Sequence, residues 1–176
     1  MNTILLAVDG SQHANKSLQI AASLALQNDA EVVVLYATEE KSVSEEMRHG
    51  IEIEYADQIT ARMKAIDFNV QLPDESQYAR TMVSHGANIS RVVNSLHGEI
   101  ILRKAVSELH DKGVKSIKPI QVEGDPADRI IEASEQHNVD TIVMGCRGVG
   151  KLKGIVLGSS SQSVAHRARC SVVIVK

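Results

Sequence analysis

The stretch with the most chemical content is rich in glycine and serine and lies in the last third of the chain. It reads Gly145-x-x-Gly148, then nine residues, then Gly158-Ser159-Ser160-Ser161. Glycine has no Cβ, so an anionic group can approach the main chain there. The first amides of a helix are unpaired and lie at the positive end of its dipole. If a helix begins at Ser159, the spacing predicts a phosphate-binding loop with serine hydroxyls as further donors.

Two familiar phosphate loops fit this stretch less well. Residues 145–151 spell G-x-x-x-x-G-K, but Leu152 stands where a Walker loop needs Ser or Thr for Mg²⁺. The glycines at 148, 150 and 154 are spaced one residue too widely for the dinucleotide fingerprint, and they follow the fourth predicted strand rather than the first. On spacing alone, a flexible connection without a ligand remains an equal alternative.

Composition argues against several other classes of function. The 19 Lys and Arg face 22 Asp and Glu, a formal net charge of −3, and the chain has one Phe, three Tyr and no Trp. A nucleic-acid-binding surface is therefore not expected, because both the basic field and the stacking platforms are missing. The seven histidines form no HExxH pattern, so we expect no metal site. Ser11 and His13 follow Asp9 too closely to form a catalytic triad.

The termini and cysteines indicate a cytoplasmic protein without membrane insertion. The longest apolar run spans residues 32–37, whereas a membrane helix needs about 20 residues. The N-terminus lacks the basic region of a signal peptide. Cys146 and Cys170 form no CxxC pair, as expected in a reducing compartment. Cys146, which we expect to be exposed in the loop, is either a reactive thiolate or a structural thiol.

The apolar pattern predicts strands alternating with helices. Continuous β-branched or apolar runs predict strands at 4–8, 31–37, 141–144 and 171–175, and a loose alternation of apolar and polar residues predicts another at 114–122. Ser11 and Asp125 are suitable N-caps for helices after the first and third strands, and Pro126 suits a first helical position. A helix from Ser159 to Arg169 would precede the last strand. This order predicts an open parallel α/β sheet.

The segment from about Val43 to His97 is longer than a crossover requires. Apolar residues at every fourth position predict one long helix from Val43 to Met63, then a loop at 67–77 and separate helices at 78–96 and 101–109. The segment holds five Lys or Arg and eight Asp or Glu, so its formal net charge is −3, the same as that of the whole chain. It is either a helical hairpin covering one end of the sheet or an arm that binds a partner protein.

The glycine and serine spacing resembles the ATP-binding signature of the universal stress protein family. The opening run 4–11 and the Gly124-Asp125-Pro126 turn are similar to that family as well. The resemblance covers about residues 1–42 and 99–176. It implies a single domain over 1–176 with a helical insertion at about 43–97. The implied fold is Rossmann-like, of the adenine nucleotide alpha hydrolase type, with five parallel strands in the order 3-2-1-4-5 and helices on both faces.

The resemblance also implies which residues bind the nucleotide. Two alanines at strand ends and a nearby methionine line the adenine pocket, an aspartate holds the adenosine portion, and the glycine loop binds the ribose and phosphates. These residues are Ala7, Ala37, Met144, Asp9, Gly145, Arg147, Gly148, Gly158, Ser159, Ser160 and Ser161. The alternative role for Asp9 is helix capping. Lys151 and Lys153 either neutralise the outer phosphates or are simply solvated.

The function that follows is an ATP-binding regulatory or sensing module, with or without Mg²⁺, that hydrolyses ATP slowly if at all. The loop has no Walker-type Mg²⁺ ligand and no evident general base, so fast turnover lacks a mechanism. Two alternatives are an adaptor that binds a partner protein through the acidic segment, and a phosphotransferase or ATPase. The last strand is apolar and would lie at a sheet edge, so we expect a homodimer through it; related proteins dimerise there.

Overall fold

The computed structural model describes residues 2–38, 45–67, 75–146 and 157–176. The chain forms two compact units. The larger unit comprises residues 1–39 and 98–176, and the smaller one comprises residues 40–97.

The larger unit contains a five-stranded parallel sheet in the order β3-β2-β1-β4-β5. The strands are β1 (Thr3–Ala7), β2 (Glu31–Thr38), β3 (Ile117–Glu123), β4 (Thr141–Gly145) and β5 (Ser171–Val175). The helices of the chain are α1 (Gln12–Asn28), α2 (Glu45–Glu54), α3 (Ala56–Asp67), α4 (Glu75–Asp111), α5 (Pro126–Gln136) and α6 (Ser159–Arg167). The predicted fold class and strand order are confirmed. Strand ends differ from prediction by up to three residues, because periodicity locates a strand better than its ends.

Both faces of the sheet are covered, which explains the continuous apolar runs 4–7, 32–37 and 142–144 within β1, β2 and β4. One face packs against α1 and the second half of α4, with Leu18 and Leu109 in its core. The other face packs against α5 and α6, with Ile130 and Val164 in its core. Alternate residues of each strand point to opposite faces, so a strand buried on both sides has no polar position.

The predicted helix starts of α1 and α5 are confirmed. The hydroxyl of Ser11 accepts a hydrogen bond from the Ala14 N–H, and the carboxylate of Asp125 accepts one from the Asp128 N–H. Pro126 occupies the first turn of α5, where its missing N–H leaves no bond unmade. Both helices follow a strand end and begin at the carboxyl edge of the sheet.

The smaller unit corrects the expectation of one helix from Val43 to Met63. The described part of that segment forms α2 and α3, which are interrupted at Tyr55. The interruption is slight, because the Tyr55 N–H still donates to the Ile51 carbonyl and the Ile59 N–H to the Tyr55 carbonyl, both at 2.9 Å. The predicted four-residue period is therefore real, and its residues pack around Val93 and Leu96 of α4.

Helix α4 also differs from prediction. The expected loop at 67–77 is shorter than predicted, because α3 extends to Asp67 and α4 begins at Glu75. Residues 68–74 lie outside the described part. The two expected helices at 78–96 and 101–109 are one continuous helix that contains Gly98. A Cβ on Gly98 would lie 2.7 Å from Cδ1 of Tyr36 and 2.5 Å from Nε2 of Gln121. This glycine therefore permits close packing and does not end the helix.

None of the helices in the described ranges is long and apolar enough to cross a membrane.

Candidate functional site

The carboxyl ends of β1 and β4 lie side by side in the middle of the sheet. Leu5 pairs with Ile142 and Leu6 with Val143, so both strands run out at the same edge. From β1 the chain crosses to β2 and β3 on one side, and from β4 it crosses to β5 on the other. Loops that leave neighbouring strands in opposite directions open a crevice, and ligands of open α/β sheets bind at this switch point.

The turn that leaves β1 presents the carboxylate of Asp9. Its Oδ1 accepts a hydrogen bond from the Ser11 N–H at 2.9 Å, which closes an Asx turn just before α1. The capping role itself belongs to Ser11. Asp9 is half-buried, and a carboxylate has several acceptor sites, so one backbone bond leaves Oδ2 able to accept from a ligand.

The second wall of the crevice is built from the end of β4 and the start of α6, which are tied together. The carbonyl oxygen of Cys146 accepts from the Gly158 N–H at 2.8 Å and from the Ser161 hydroxyl at 2.9 Å. The Cys146 N–H donates to Val175 of β5 at 2.7 Å. The start of α6 is therefore held against the end of β4.

The N-terminus of α6 differs from those of α1 and α5. Gly158 is its N-cap residue, in an extended conformation, and none of the side chains that the structure describes caps this helix end. The amides of Ser159, Ser160 and Ser161 have no acceptor within the helix, since the first intrahelical bond runs from Gln162 to Gly158. Such amides accept an anion readily, and the helix dipole adds to the attraction.

An apolar wall lies beside these polar groups. Ala7 at the end of β1 and Ala37 near the end of β2 are half-buried, while Met144 of β4 is buried. All three pack against one apolar cluster on the α5 and α6 face of the sheet, together with Val122. The structure thus brings the residues expected around adenine onto one face and one edge.

Several predicted site residues need qualification. Arg147 and Gly148, with Lys151 and Lys153, lie outside the described residues. The Ser161 hydroxyl donates to carbonyl oxygens of its own loop, so its part in ligand binding rests on its amide. The N–H of Gly158 is likewise engaged by Cys146. The expectation that Cys146 is exposed is wrong: its side chain is buried, at a position where its backbone bonds to Val175 of β5 and to Gly158 at the start of α6.

Sequence reasoning missed two contributors to the site. The carbonyl of Cys146 anchors the loop, but a backbone acceptor leaves no trace in the residue type. Ile101 of α4 packs against Gly10 in the β1–α1 turn. The apolar character of Ile101 is visible in the sequence. Its contact with Gly10 is not, because residues so far apart in the chain meet only in the folded protein.

This topology places the protein among the open, doubly wound α/β proteins. The model of the universal stress protein family matches residues 1–176. A curated relative, universal stress protein YxiE of Bacillus subtilis, is 29% identical over 175 residues, which is 99% of each chain. The chain belongs to the universal stress protein family.

Solved structures show the same fold. The chain is similar to universal stress protein UspA from Lactobacillus plantarum, with a TM-score of 0.67 at 17% identity over 99% of this chain and 97% of that one. A universal stress protein in complex with cAMP gives 0.61 at 20% identity, covering 99% and 97%. One from Archaeoglobus fulgidus in complex with dAMP gives 0.59 at 17% identity, covering 100% and 98%.

Proposed function

We propose that this protein binds an adenine nucleotide, ATP in the first place, in the crevice between the ends of β1 and β4. It would act there as a sensing or regulatory module of the stress response. The observation that carries the proposal is the contrast between helix starts at one sheet edge: α1 and α5 are capped by their own side chains, whereas α6 presents the amides of residues 159–161 uncapped. An anionic ligand would complete the third helix start.

The chemistry of the crevice matches the parts of the nucleotide. The apolar surface of Ala7, Ala37 and Met144 suits the faces of a purine, and Asp9 can accept from the adenosine portion. The amides at the start of α6 suit the phosphates. Three bonds to a charged group, at roughly 1.5 to 3 kcal/mol each, would supply about 5 to 9 kcal/mol before the cost of ordering, so contacts with the base and sugar must contribute as well to reach micromolar affinity, about −8 kcal/mol. Arg147, Gly148 and the loop lysines remain further candidates for phosphate contact.

The choice of ATP rests on family resemblance, and the solved relatives named above bind cAMP and dAMP. We infer that the shared part of these ligands, the adenine, its pentose and the first phosphate, supplies most of the recognition. Mg²⁺ would accompany ATP through the outer phosphates rather than through protein ligands. Hydrolysis in this proposal is slow, and a steady-state phosphate-release assay with Mg²⁺ showing several turnovers per second would favour an ATPase instead.

The experiment that tests the proposal has two parts. Purified protein is denatured and its supernatant analysed for adenine nucleotide, and nucleotide-free protein is titrated calorimetrically with ATP, AMP, cAMP and GTP. We expect co-purified or titratable adenine nucleotide at micromolar affinity, with GTP binding at least tenfold more weakly. No binding of any of the four would contradict the proposal.

We further propose that the protein is a homodimer paired through β5. The sheet has two edges, β3 and β5. In β3 the register places Pro119 opposite Val34, and its missing N–H falls on the outer edge, where proline blocks pairing. In β5 the residues from Val172 to Val175 are half-buried, apolar and free of proline, so this edge invites a second strand. A two-fold axis beside β5 would pair the two copies antiparallel.

The acidic smaller unit supports a second candidate function, the binding of a partner protein. On α2, Ile53 is 68% exposed and Met47 is 42% exposed, beside Glu46 and Glu54. Exposed apolar side chains next to glutamates in the sequence of an acidic helix suit a basic partner with an apolar anchor. If Ile53→Lys left nucleotide affinity unchanged but abolished a purified complex with such a partner, this role would stand beside nucleotide binding; an intact complex would exclude this surface.

A further inference from the structure

We propose that Ile101 of α4 is a positioning residue for the nucleotide site. Its side chain packs on Gly10 and holds the turn between β1 and α1 in the shape that presents Asp9 to the crevice. This inference rests on the proposed function, since it assigns a role in binding to a residue outside the crevice.

The first observation is the contact itself. A Cβ built on Gly10 would lie 3.0 Å from Cδ1 and 3.4 Å from Cγ1 of Ile101. The end of the isoleucine side chain therefore occupies the side of the turn where any other residue would have its own side chain. Gly10 also has φ +79°, a conformation that favours glycine. The turn needs glycine both for its backbone and for the space that Ile101 fills.

The second observation is that this turn has few other restraints. Before it, the Val8 N–H donates to the Leu35 carbonyl at 2.9 Å, which fixes the end of β1. After it, the Ser11 hydroxyl accepts from Ala14 and fixes the start of α1. Between these two points, the described part of the chain provides one further hydrogen bond, the local one from the Ser11 N–H to Asp9 Oδ1. A glycine with wide conformational freedom lies inside that stretch, so an external contact has a large effect on its ensemble.

The third observation is that Ile101 is itself held in place. It lies on the face of α4 that carries Leu102 and Ala105, both buried, and it packs against the same core cluster as Val8. Helix α4 adds the tight contact of Gly98 with Tyr36 one turn away. Ile101 therefore transmits the rigidity of the core to a glycine turn that would otherwise have to be ordered by the ligand. Preordering of this kind raises affinity without a new ligand contact.

The test compares three isoleucine variants by calorimetry with ATP. Ile101→Ala removes the side chain over Gly10 and should lower the affinity about tenfold. Ile101→Met keeps a methyl group that can reach Gly10, so its ATP affinity should lie within about twofold of the wild type. Ile117→Ala is the matched control: it removes the same atoms from an isoleucine packed against the same core cluster, but at the amino end of β3. Its affinity should equal that of the wild type.

A double-mutant cycle shows whether Ile101 acts through Asp9. In an Asp9→Asn background the further loss from Ile101→Ala should shrink to less than about twofold, because the carboxylate that the turn positions is gone. An undiminished tenfold loss in that background would overturn the assignment. So would equal losses for Ile101→Ala and Ile117→Ala, which would mark a general loss of stability.

A second readout needs no nucleotide. In the ligand-free protein, the Ser11 amide that bonds to Asp9 should exchange with solvent faster in Ile101→Ala than in Ile117→Ala. If the wild-type protein binds no nucleotide, the proposed function fails while the exchange experiment still tests the contact. Unchanged exchange at Ser11 in Ile101→Ala would reject the positioning role whatever the binding result.

Discussion

The backbone N–H of Gly158 donates a 2.8 Å hydrogen bond to the carbonyl oxygen of Cys146. This bond joins the end of β4 to the start of α6 and closes the glycine loop at its base. It fixes the position of the uncapped amides of α6 relative to the sheet, whatever the loop residues between them do. The phosphate-binding part of the proposed site is therefore built on the framework rather than on the loop.

The tight packing of α4 on the sheet can be tested by adding one methyl group. In Gly98→Ala the new Cβ would lie 2.7 Å from Cδ1 of the buried Tyr36 ring, which cannot move aside. We expect a loss of about 1 to 3 kcal/mol in the free energy of unfolding, in spite of the better helix propensity of alanine.

Gly50→Ala is the matched control for that substitution. Gly50 also lies within a helix, α2, and a Cβ there would have no heavy atom within 4 Å. Alanine should therefore stabilise the protein by about 0.5 to 1 kcal/mol through propensity alone. Urea denaturation of both variants checks the pair, and a Gly98→Ala protein as stable as Gly50→Ala would contradict the described packing.

Asp140, at the amino end of β4, makes the stability of the fold depend on pH. Its Oδ2 accepts from the Asn2 N–H at 2.6 Å and from the Thr3 N–H at 3.1 Å, and these bonds lower the pKa of the carboxyl group. Because the pKa is lower in the folded state, the ionised carboxyl group stabilises the fold above the unfolded-state pKa of about 4. This stabilisation is lost as the pH falls through the folded-state pKa. Acidification below about pH 4 should thus progressively remove the stabilisation that these two hydrogen bonds give to the start of β1.

The measurement for Asp140 is chemical unfolding of the wild type and Asp140→Asn across pH. The difference between them should be constant at neutral pH and shrink steadily below about pH 4. ATP affinity of Asp140→Asn at neutral pH should be unchanged, because this residue precedes β4 and lies at the opposite end of the strand from Gly145. A stability difference that grew on acidification would have the wrong sign for this account.

The proposed dimer can be broken without breaking the sheet. The Ser171 N–H donates to Asp140 and the Val175 carbonyl accepts from Cys146, so odd-numbered residues of β5 bond to β4 and the backbone of Val172 and Ile174 faces outward. Ile174→Pro removes one outward N–H and should convert the dimer to a monomer in sedimentation at micromolar concentration. Ile174→Val is the control, expected to stay dimeric. A monomeric wild type would refute the proposal.

Much of this fold was predictable because most of its strands are runs of consecutive apolar residues. Residues 31–37 and 171–175 read directly as strands, and Ser11 and Asp125 marked helix starts through their capping chemistry. The continuity of α4 was not predictable, because Gly98 looks like a helix break in the sequence. The reason for a glycine at this position is the close approach of Tyr36, which lies on a strand distant in the chain. Periodicity reports local structure, whereas close approach is a tertiary property.

The candidate site divides in the same way. Glycine and serine spacing indicated the segment that we propose as the phosphate site, because backbone access and helix starts have sequence signatures. The burial of Cys146 and the hydrogen bond from the Ser161 hydroxyl to the Cys146 carbonyl depend on how the end of β4 meets the start of α6, which spacing does not specify. Residue types thus indicated a candidate element but not which of its donors remain available.

The most direct test of the account compares two substitutions at Ser159, the first residue of α6. Proline is tolerated at a first helical position, and the preceding Gly158 has φ −74° and ψ 162°, a conformation allowed before proline. Ser159→Pro therefore removes one backbone N–H and keeps the helix, whereas Ser159→Ala removes only the hydroxyl.

The measurement is the calorimetric ATP affinity of both variants, with thermal unfolding as a check on the fold. We predict that Ser159→Pro lowers the affinity roughly 10- to 100-fold, the loss of one hydrogen bond to a charged phosphate, while Ser159→Ala stays within a few-fold of the wild type. Equal affinities in a folded Ser159→Pro protein and in Ser159→Ala would contradict the claim that main-chain amides of α6 bind the nucleotide.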